Sequence, residues 1–155
     1  MKRLLIPVIF SLAVITACKK DDTIITNTKT VEPVSIDFKA ALSGDSEVPT
    51  HSSNGEGSFD ATYKSSNRTL TYKLTYSSIP GTDFKPTVAH IHKGLPGVNG
   101  NATVIFDLGQ VGAASLNRSI QLTPDQVEDL MKGMYYVHIH SHAFPEGDIR
   151  GQIEK

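Results

Sequence analysis

The sequence predicts an all-β domain, a Greek-key sandwich with one short connecting helix. Three observations predict it. Apolar and polar residues alternate over several short runs, the pattern of strands with one buried face. Turn chemistry recurs between those runs, supplied by 12 Gly and 8 Pro together with Ser, Asn and Asp. Helical start and stop signals bracket only one stretch, so strands must build the layers of the core.

The elements follow in chain order. Val34, Ile36, Phe38, Ala40 and Leu42 fall on one face of a first strand, with Ser35, Asp37 and Lys39 on the other. Residues 43–49, Ser-Gly-Asp-Ser-Glu-Val-Pro, are turn chemistry. Phe59, Ala61 and Tyr63 alternate, residues 65–68 reverse the chain, and Leu70, Tyr72, Leu74 and Tyr76 alternate again, which predicts a hairpin. Residues 88–93 form a strand, 94–101 a loop with three glycines, and 103–108 a strand with Val104, Phe106 and Leu108 inward. Leu116, Ile120 and Leu122 mark a less regular strand, because Arg118 lies in phase with them. The helix begins at Thr123, a capping residue, followed by Pro124 and by Gln126, which completes a capping box. Leu122 and Val127 are spaced as a hydrophobic staple, Val127, Leu130 and Met131 make the buried stripe, and Gly133 ends the helix. Residues 134–140 and 148–154 are the last strands, with Ile149 and Ile153 inward.

The first residues read as an address. Lys2 and Arg3 precede an apolar run too short to span a bilayer, and Ile15-Thr16-Ala17-Cys18 follows. That tetrapeptide resembles the lipobox of bacterial lipoproteins, in which the cysteine is acylated after cleavage before it. Cys18 is the only cysteine in the chain, so no intramolecular disulfide is available and the domain must stand on its core. The expected organisation is a signal peptide over 1–17, the acylated Cys18 and a polar, Thr-rich tether over 18–33, and the folded domain over 34–155. Lys19-Lys20-Asp21-Asp22 resembles a signal that sends some lipoproteins to the outer face of the outer membrane, and reads equally as a solvated spacer. The expected location is the outer membrane, at the cell surface or on its periplasmic side. With 15 basic and 16 acidic side chains, bulk charge gives no case for nucleic-acid binding.

Four of the six histidines sit in two His-x-His pairs, His90/His92 in Ala89-His90-Ile91-His92 and His138/His140 in Val137-His138-Ile139-His140. On a strand each pair shares a face, and Ala89, Ile91, Val137 and Ile139 take the other. The simplest arrangement buries the aliphatics and turns both imidazole pairs outward.

With Ala89-His90-Ile91-His92, the glycine-rich loop after it, Gly133 before Tyr136-Val137, and Gly147-Asp148-Ile149-Arg150-Gly151-Gln152-Ile153, the chain resembles a CHRD domain. This module was first recognised in chordin and occurs in many bacterial secreted proteins. The resemblance runs from about Phe38 to the end and includes Leu42-Ser43-Gly44 and Glu47-Val48-Pro49. It implies an immunoglobulin-like sandwich, a secreted or surface location, and no settled activity. The family's penultimate-strand motif has Asn where this chain has His138, so His90, His92 and His140 carry over, while His138 and His142 are this chain's own. Asp148, Arg150 and Gly151 belong to the structural motif of the last strand. A second likeness is to copper-zinc superoxide dismutases, which also place His-x-His on a Greek-key strand with another His nearby. It raises a superoxide-dismutase-like barrel as an alternative closure of the fold.

Two imidazoles at i and i+2 on a strand can reach one metal, and a third from an adjacent strand completes a nitrogen site. His90, His92 and His140 are the candidates, with His138 a fourth, and copper or zinc suits nitrogen ligation. Affinity should then fall below about pH 6.5, where free imidazole protonates. The competing expectation is structural: the rings bond to the 94–101 loop or to carboxylates such as Glu146 or Asp148. Arg150 is expected to pair with a carboxylate or tie down a loop. Tyr135 and Tyr136 point to opposite faces, one into the core and one beside the histidines. Ser141 lacks the base and oxyanion loop of a nucleophile. The sequence therefore supports two functions. The first is a membrane-anchored binding or structural module with no catalysis, no required cofactor, and an unidentified protein or surface ligand. The second is a copper- or zinc-binding protein, with superoxide-type redox chemistry as its extension.

Overall fold

The computed structural model describes residues 32–106 and 115–155. Among these residues, eight antiparallel strands form two four-stranded sheets. The first contains β1 (Ser35–Leu42), β2 (Gly55–Lys64), β3 (Thr69–Ser78) and β6 (Ser115–Gln121), in the order β1-β2-β3-β6. The second contains β4 (Pro86–Lys93), β5 (Ala102–Phe106), β7 (Tyr135–Ser141) and β8 (Ile149–Gln152), in the order β5-β4-β7-β8. Consecutive strands β3 and β4 lie in opposite sheets, and β6 returns beside β3, so the chain crosses the sandwich in Greek-key fashion. The all-β sandwich is the architecture the sequence predicts. The described residues do not close a barrel: β5 and β6 are unpaired with each other, and only the bridges Lys39↔Glu154 and Ser43↔Arg150 lace β1 to the last segment.

Alternation explains the core. Phe38, Ala40 and Leu42 of β1, Phe59, Ala61 and Tyr63 of β2, and Leu70, Tyr72, Leu74 and Tyr76 of β3 are all buried. They meet Ala89, Ile91, Val137, Ile139 and Ile149 from the opposite sheet. Val34 breaks the expected pattern and is 49% exposed, because paired strand begins one residue later, at Ser35↔Lys64. Ile120 is half-buried, and Arg118, in phase with the core side of edge strand β6, still reaches solvent. The inward placement expected of Leu108 lies outside the described residues.

The helix α1 (Pro124–Met131) forms where its caps dictate. Thr123 accepts from the Gln126 backbone N–H, and the Gln126 side chain accepts from Thr123 N–H, completing the capping box. Leu130 is buried, and Val127 and Met131 pack against the core from its edge.

Two close approaches set the position of the site. Ser43 exchanges backbone hydrogen bonds with Arg150, at 3.0 and 3.1 Å, so the turn after β1 folds over β8. Gly151 permits this, since a Cβ there would lie 2.4 Å from the Ala41 carbonyl oxygen. That turn carries Glu47 toward β7, because Arg150 is the register partner of His138.

Candidate metal centre

Strands β4 and β7 are direct neighbours. Their register pairs Val88 with His140, His90 with His138, and His92 with Tyr136. Side chains on one face of such a pair approach both directly and diagonally. The four imidazoles form a closed quadrilateral, with ring centroids 5.4 Å apart for His90–His92, 5.0 Å for His92–His138, 4.5 Å for His138–His140 and 5.0 Å for His90–His140. One ligand nitrogen from each of His90, His92 and His140 lies within 4.8 Å of the others.

The rings face away from the core, as the alternation requires, but they are not a bare outer wall. The 43–49 turn, the 94–101 loop and the 142–148 loop cover them. His138 is only 7% exposed, and His90, His92 and His140 are half-buried. His92 Nδ1 is 2.8 Å from the Gly100 carbonyl oxygen, and His140 Nδ1 is 2.8 Å from that of Pro145. A carbonyl only accepts, so both Nδ1 atoms carry the proton and both Nε2 atoms keep a lone pair. His138 Nε2 donates to Glu47 Oε2 at 3.1 Å. His90 Nδ1 and His140 Nε2 are buried with no hydrogen-bond partner.

Convergence on a common point and bonding to loop carbonyls look like opposite outcomes from the sequence. Both occur here: the three rings bring ligand nitrogens to within 4.8 Å of one another, and His92 and His140 also bond to loop carbonyls through Nδ1. Second-sphere bonds of this kind fix the tautomer and orientation of metal-binding histidines. Of the acceptors expected for a structural role, the 94–101 loop supplies Gly100, while the carboxylate is Glu47, neither Glu146 nor Asp148.

Burial favours the neutral form of His90, His92 and His140. Desolvation, reinforced by His140, His92 and His138, lowers the pKa of His90 to about 4. Desolvation also lowers His92 and His140, partly offset by their bonds to Gly100 and Pro145. The window in which protons compete for these nitrogens therefore moves below the pH of about 6.5 expected for free imidazole.

A second group holds the roof in place. Arg150 is 2% exposed, and its guanidinium donates to Asn99 Oδ1 at 3.1 Å and to the carbonyls of Leu95 at 3.3 Å and Val98 at 3.0 Å. It ties down a loop, the second of its two expected roles. The same guanidinium lies 3.6 Å over the Tyr136 ring, and Tyr136 stacks with His92 at 5.0 Å and 10°. Tyr136 thus flanks the histidines and Tyr135 enters the core, the division the sequence anticipates. Gly100, which holds His92, also donates its N–H to Tyr136 Oη at 3.0 Å.

Asp148, also 2% exposed, accepts from Ser53 Oγ. Ser141 accepts from the Ala143 and Phe144 backbone N–H groups and serves as a turn former. His142 is exposed, and His51 stacks on Phe144 with its Nε2 3.3 Å from the Gly147 carbonyl oxygen. The residue that sequence reasoning missed is Glu47. It stands in a turn far along the chain from the histidines, and its signal was its place in the family stretch Glu47-Val48-Pro49, which carries no pointer to His138.

The family model for the CHRD domain matches residues 38–153. The chain belongs to the CHRD family. The match spans both sheets, so β4, β7, β8 and all three covering loops are parts of the CHRD domain itself. No curated protein and no solved structure gives a significant match to the chain.

Proposed function

We propose that this CHRD domain is a metal-binding module, displayed outside the cytoplasm on a lipid anchor at Cys18, with copper(II) or zinc held by His90, His92 and His140. The observation that carries the reading is the convergence of three neutral imidazoles to within 4.8 Å, two of them oriented by backbone carbonyls at 2.8 Å. Metal–nitrogen bonds of about 2.0–2.1 Å would require the rings to close by roughly 1 Å, within the reach of χ rotations at a half-buried site. An all-nitrogen donor set suits copper(II) and zinc better than magnesium or calcium. His90 Nδ1 and His140 Nε2, buried without a hydrogen-bond partner, are the kind of unsatisfied atoms that a bound cation would satisfy. The likeness to copper-zinc superoxide dismutases extends to His-x-His on one strand and another histidine on its neighbour, and remains an analogy of placement. Binding is the proposed function, with redox cycling one outcome of the test.

The anchor reading rests on the sequence around Cys18, where an apolar run precedes the lone cysteine. Several acyl chains would hold the domain durably at a membrane surface.

The test is metal content of the tag-free full chain, followed by Cu(II) and Zn(II) titration of the wild type, His90→Ala and His140→Ala. One equivalent of metal in the wild type, lost in both variants, is the expected result. Wild-type protein that takes up neither metal would overturn the reading and leave a structural CHRD module. Labelling with a palmitate analogue, abolished by Cys18→Ala, checks the anchor separately.

A further inference from the structure

The three-histidine set leaves out His138, the most deeply buried of the four rings. Its surroundings give it a defined orientation. Nε2 lies 3.1 Å from Glu47 Oε2 and 3.0 Å from Oε1, and Glu47 is itself only 6% exposed. A carboxylate only accepts, so Nε2 carries a proton, and the neutral tautomer of that ring has its lone pair on Nδ1. That Nδ1 lies 3.4 Å from His92 Nε2. His92 has already spent its proton on Gly100, so its Nε2 also presents a lone pair. In that tautomer two acceptor nitrogens face each other across a long contact.

The separation is long for a hydrogen bond, beyond the range of about 2.7–3.2 Å common for N–H···O. Two nitrogens on a tetrahedral metal, with bonds of about 2.0–2.1 Å, stand about 3.3–3.4 Å apart. The observed 3.4 Å matches the edge of a coordination tetrahedron. Glu47 adds a second argument. Oε1 is buried and accepts no hydrogen bond, and His138 is the only partner in an ion-pair contact with this carboxylate among the described residues. A cation reached through His138 would balance that buried charge.

We propose that His138 joins the metal through Nδ1 as a fourth nitrogen ligand, and that Glu47 is the positioning residue that turns this nitrogen inward. The inference rests on the three-histidine reading and extends it. Four nitrogens close the coordination shell, the arrangement of sites that hold a metal; a catalytic site keeps a position open. The site would therefore retain zinc or copper tightly and offer little room to an added substrate.

Cobalt(II) is the probe, because four-coordinate cobalt absorbs visible light far more strongly than its five- or six-coordinate forms. The full chain is titrated with Co(II) as wild type, His138→Leu, Glu47→Gln and His90→Ala, and thermal unfolding of each metal-free protein checks the fold. The wild type should give the intense four-coordinate spectrum. His138→Leu should give a weak one, as the space left by the ring admits two or more waters and the coordination number rises to five or six. Glu47→Gln keeps the ring and the shape but loses the charge, and should weaken affinity about 10–100-fold with a loss of spectral intensity. Should His138→Leu fail to fold, Glu47→Gln carries the test. Wild-type spectrum and affinity in both variants, with binding lost only in His90→Ala, would overturn the fourth ligand and leave the three-histidine site standing. Weakened affinity with an unchanged spectrum would make His138 structural and overturn the proposal. A change confined to His138→Leu would overturn the role given to Glu47. No cobalt uptake by the wild type would remove the inference and the three-histidine reading together.

Discussion

The outer face of the β1-β2-β3-β6 sheet and the histidine face of the β5-β4-β7-β8 sheet obey the same alternation and end in different chemistry. On the first, Asp37 accepts from Thr62 and Thr71 pairs with Ser119, both pairs open to water, and Ser58 pairs with Thr75 in a half-buried position. Lys39, Asp60 and Lys73 stand exposed among them. On the second, three loops fold over the strands and partly dehydrate four imidazoles, a glutamate and an arginine. In water a polar pair is worth little, because solvent replaces it. Under a roof the same groups must find partners, so each contact becomes specific and costly to lose.

The sharpest way to break the contrast is to remove Arg150. Arg150→Met would leave Asn99 Oδ1 and the carbonyls of Leu95 and Val98 without their charged donor. Chemical denaturation should show a loss of about 3 kcal/mol, whereas Lys73→Met on the open face should change stability by less than about 0.5 kcal/mol. Equal effects would mean that the roof contributes no more than exposed side chains do.

Gly147 tests the packing beneath the roof. Its φ is +142°, and a Cβ there would lie 1.8 Å from His138 Nε2. Gly147→Ala should displace the His138 ring from Glu47 and cost about 1–3 kcal/mol, read as a lowered midpoint in denaturant. A crystal structure of the variant with the His138–Glu47 contact intact would contradict this account.

Acid should distinguish the faces next. The folded-state pKa of His90, about 4, lies below the value of 6.5 for a free imidazole. The unfolded chain therefore binds more protons between those values, and folding stability falls as pH drops through that window. His92 and His140, lowered in the same direction, add to the loss, and above about pH 6.5 the contribution is whole. Thermal melts of metal-free protein from pH 7 to 4 should show a steeper decline in the wild type than in His90→Asn. Parallel declines would mean that burial of His90 does not set the acid response.

The smallest effect is expected on the open face. Thr71→Val removes an exposed hydroxyl from its pairing with Ser119 and should shift stability by less than about 0.5 kcal/mol. A larger loss would show that this row is shielded from water in a way its exposure does not suggest.

Much of this fold was legible because it depends on neighbours in sequence. Alternation in residues 36–42 and 70–76 placed the buried aromatics, and the Thr123–Gln126 capping box placed the helix start, since both patterns operate within a few residues. The two His-x-His pairs were legible for the same reason: a strand of period two puts each pair on one face whatever surrounds it. The exposure of Val34 was not legible, because it depends on where pairing with β2 begins. Glu47 escaped for a similar reason. Nothing within its turn points to His138, and the two meet only after Ser43 pairs with Arg150 across the edge of β8.

By itself, then, the sequence determined local periodicity: which residues are strand, which face each imidazole pair shares, and which aliphatics fill the interior. Tertiary structure alone decided that β4 lies against β7 in a register opposing His90 to His138, that three loops cover the rings, and that Glu47 meets His138 from the turn between β1 and β2. The physical reason is range. Backbone geometry repeats every two residues and is written into any short stretch, whereas strand register and loop coverage are settled by burying the whole core at once and satisfying every polar group that burial traps.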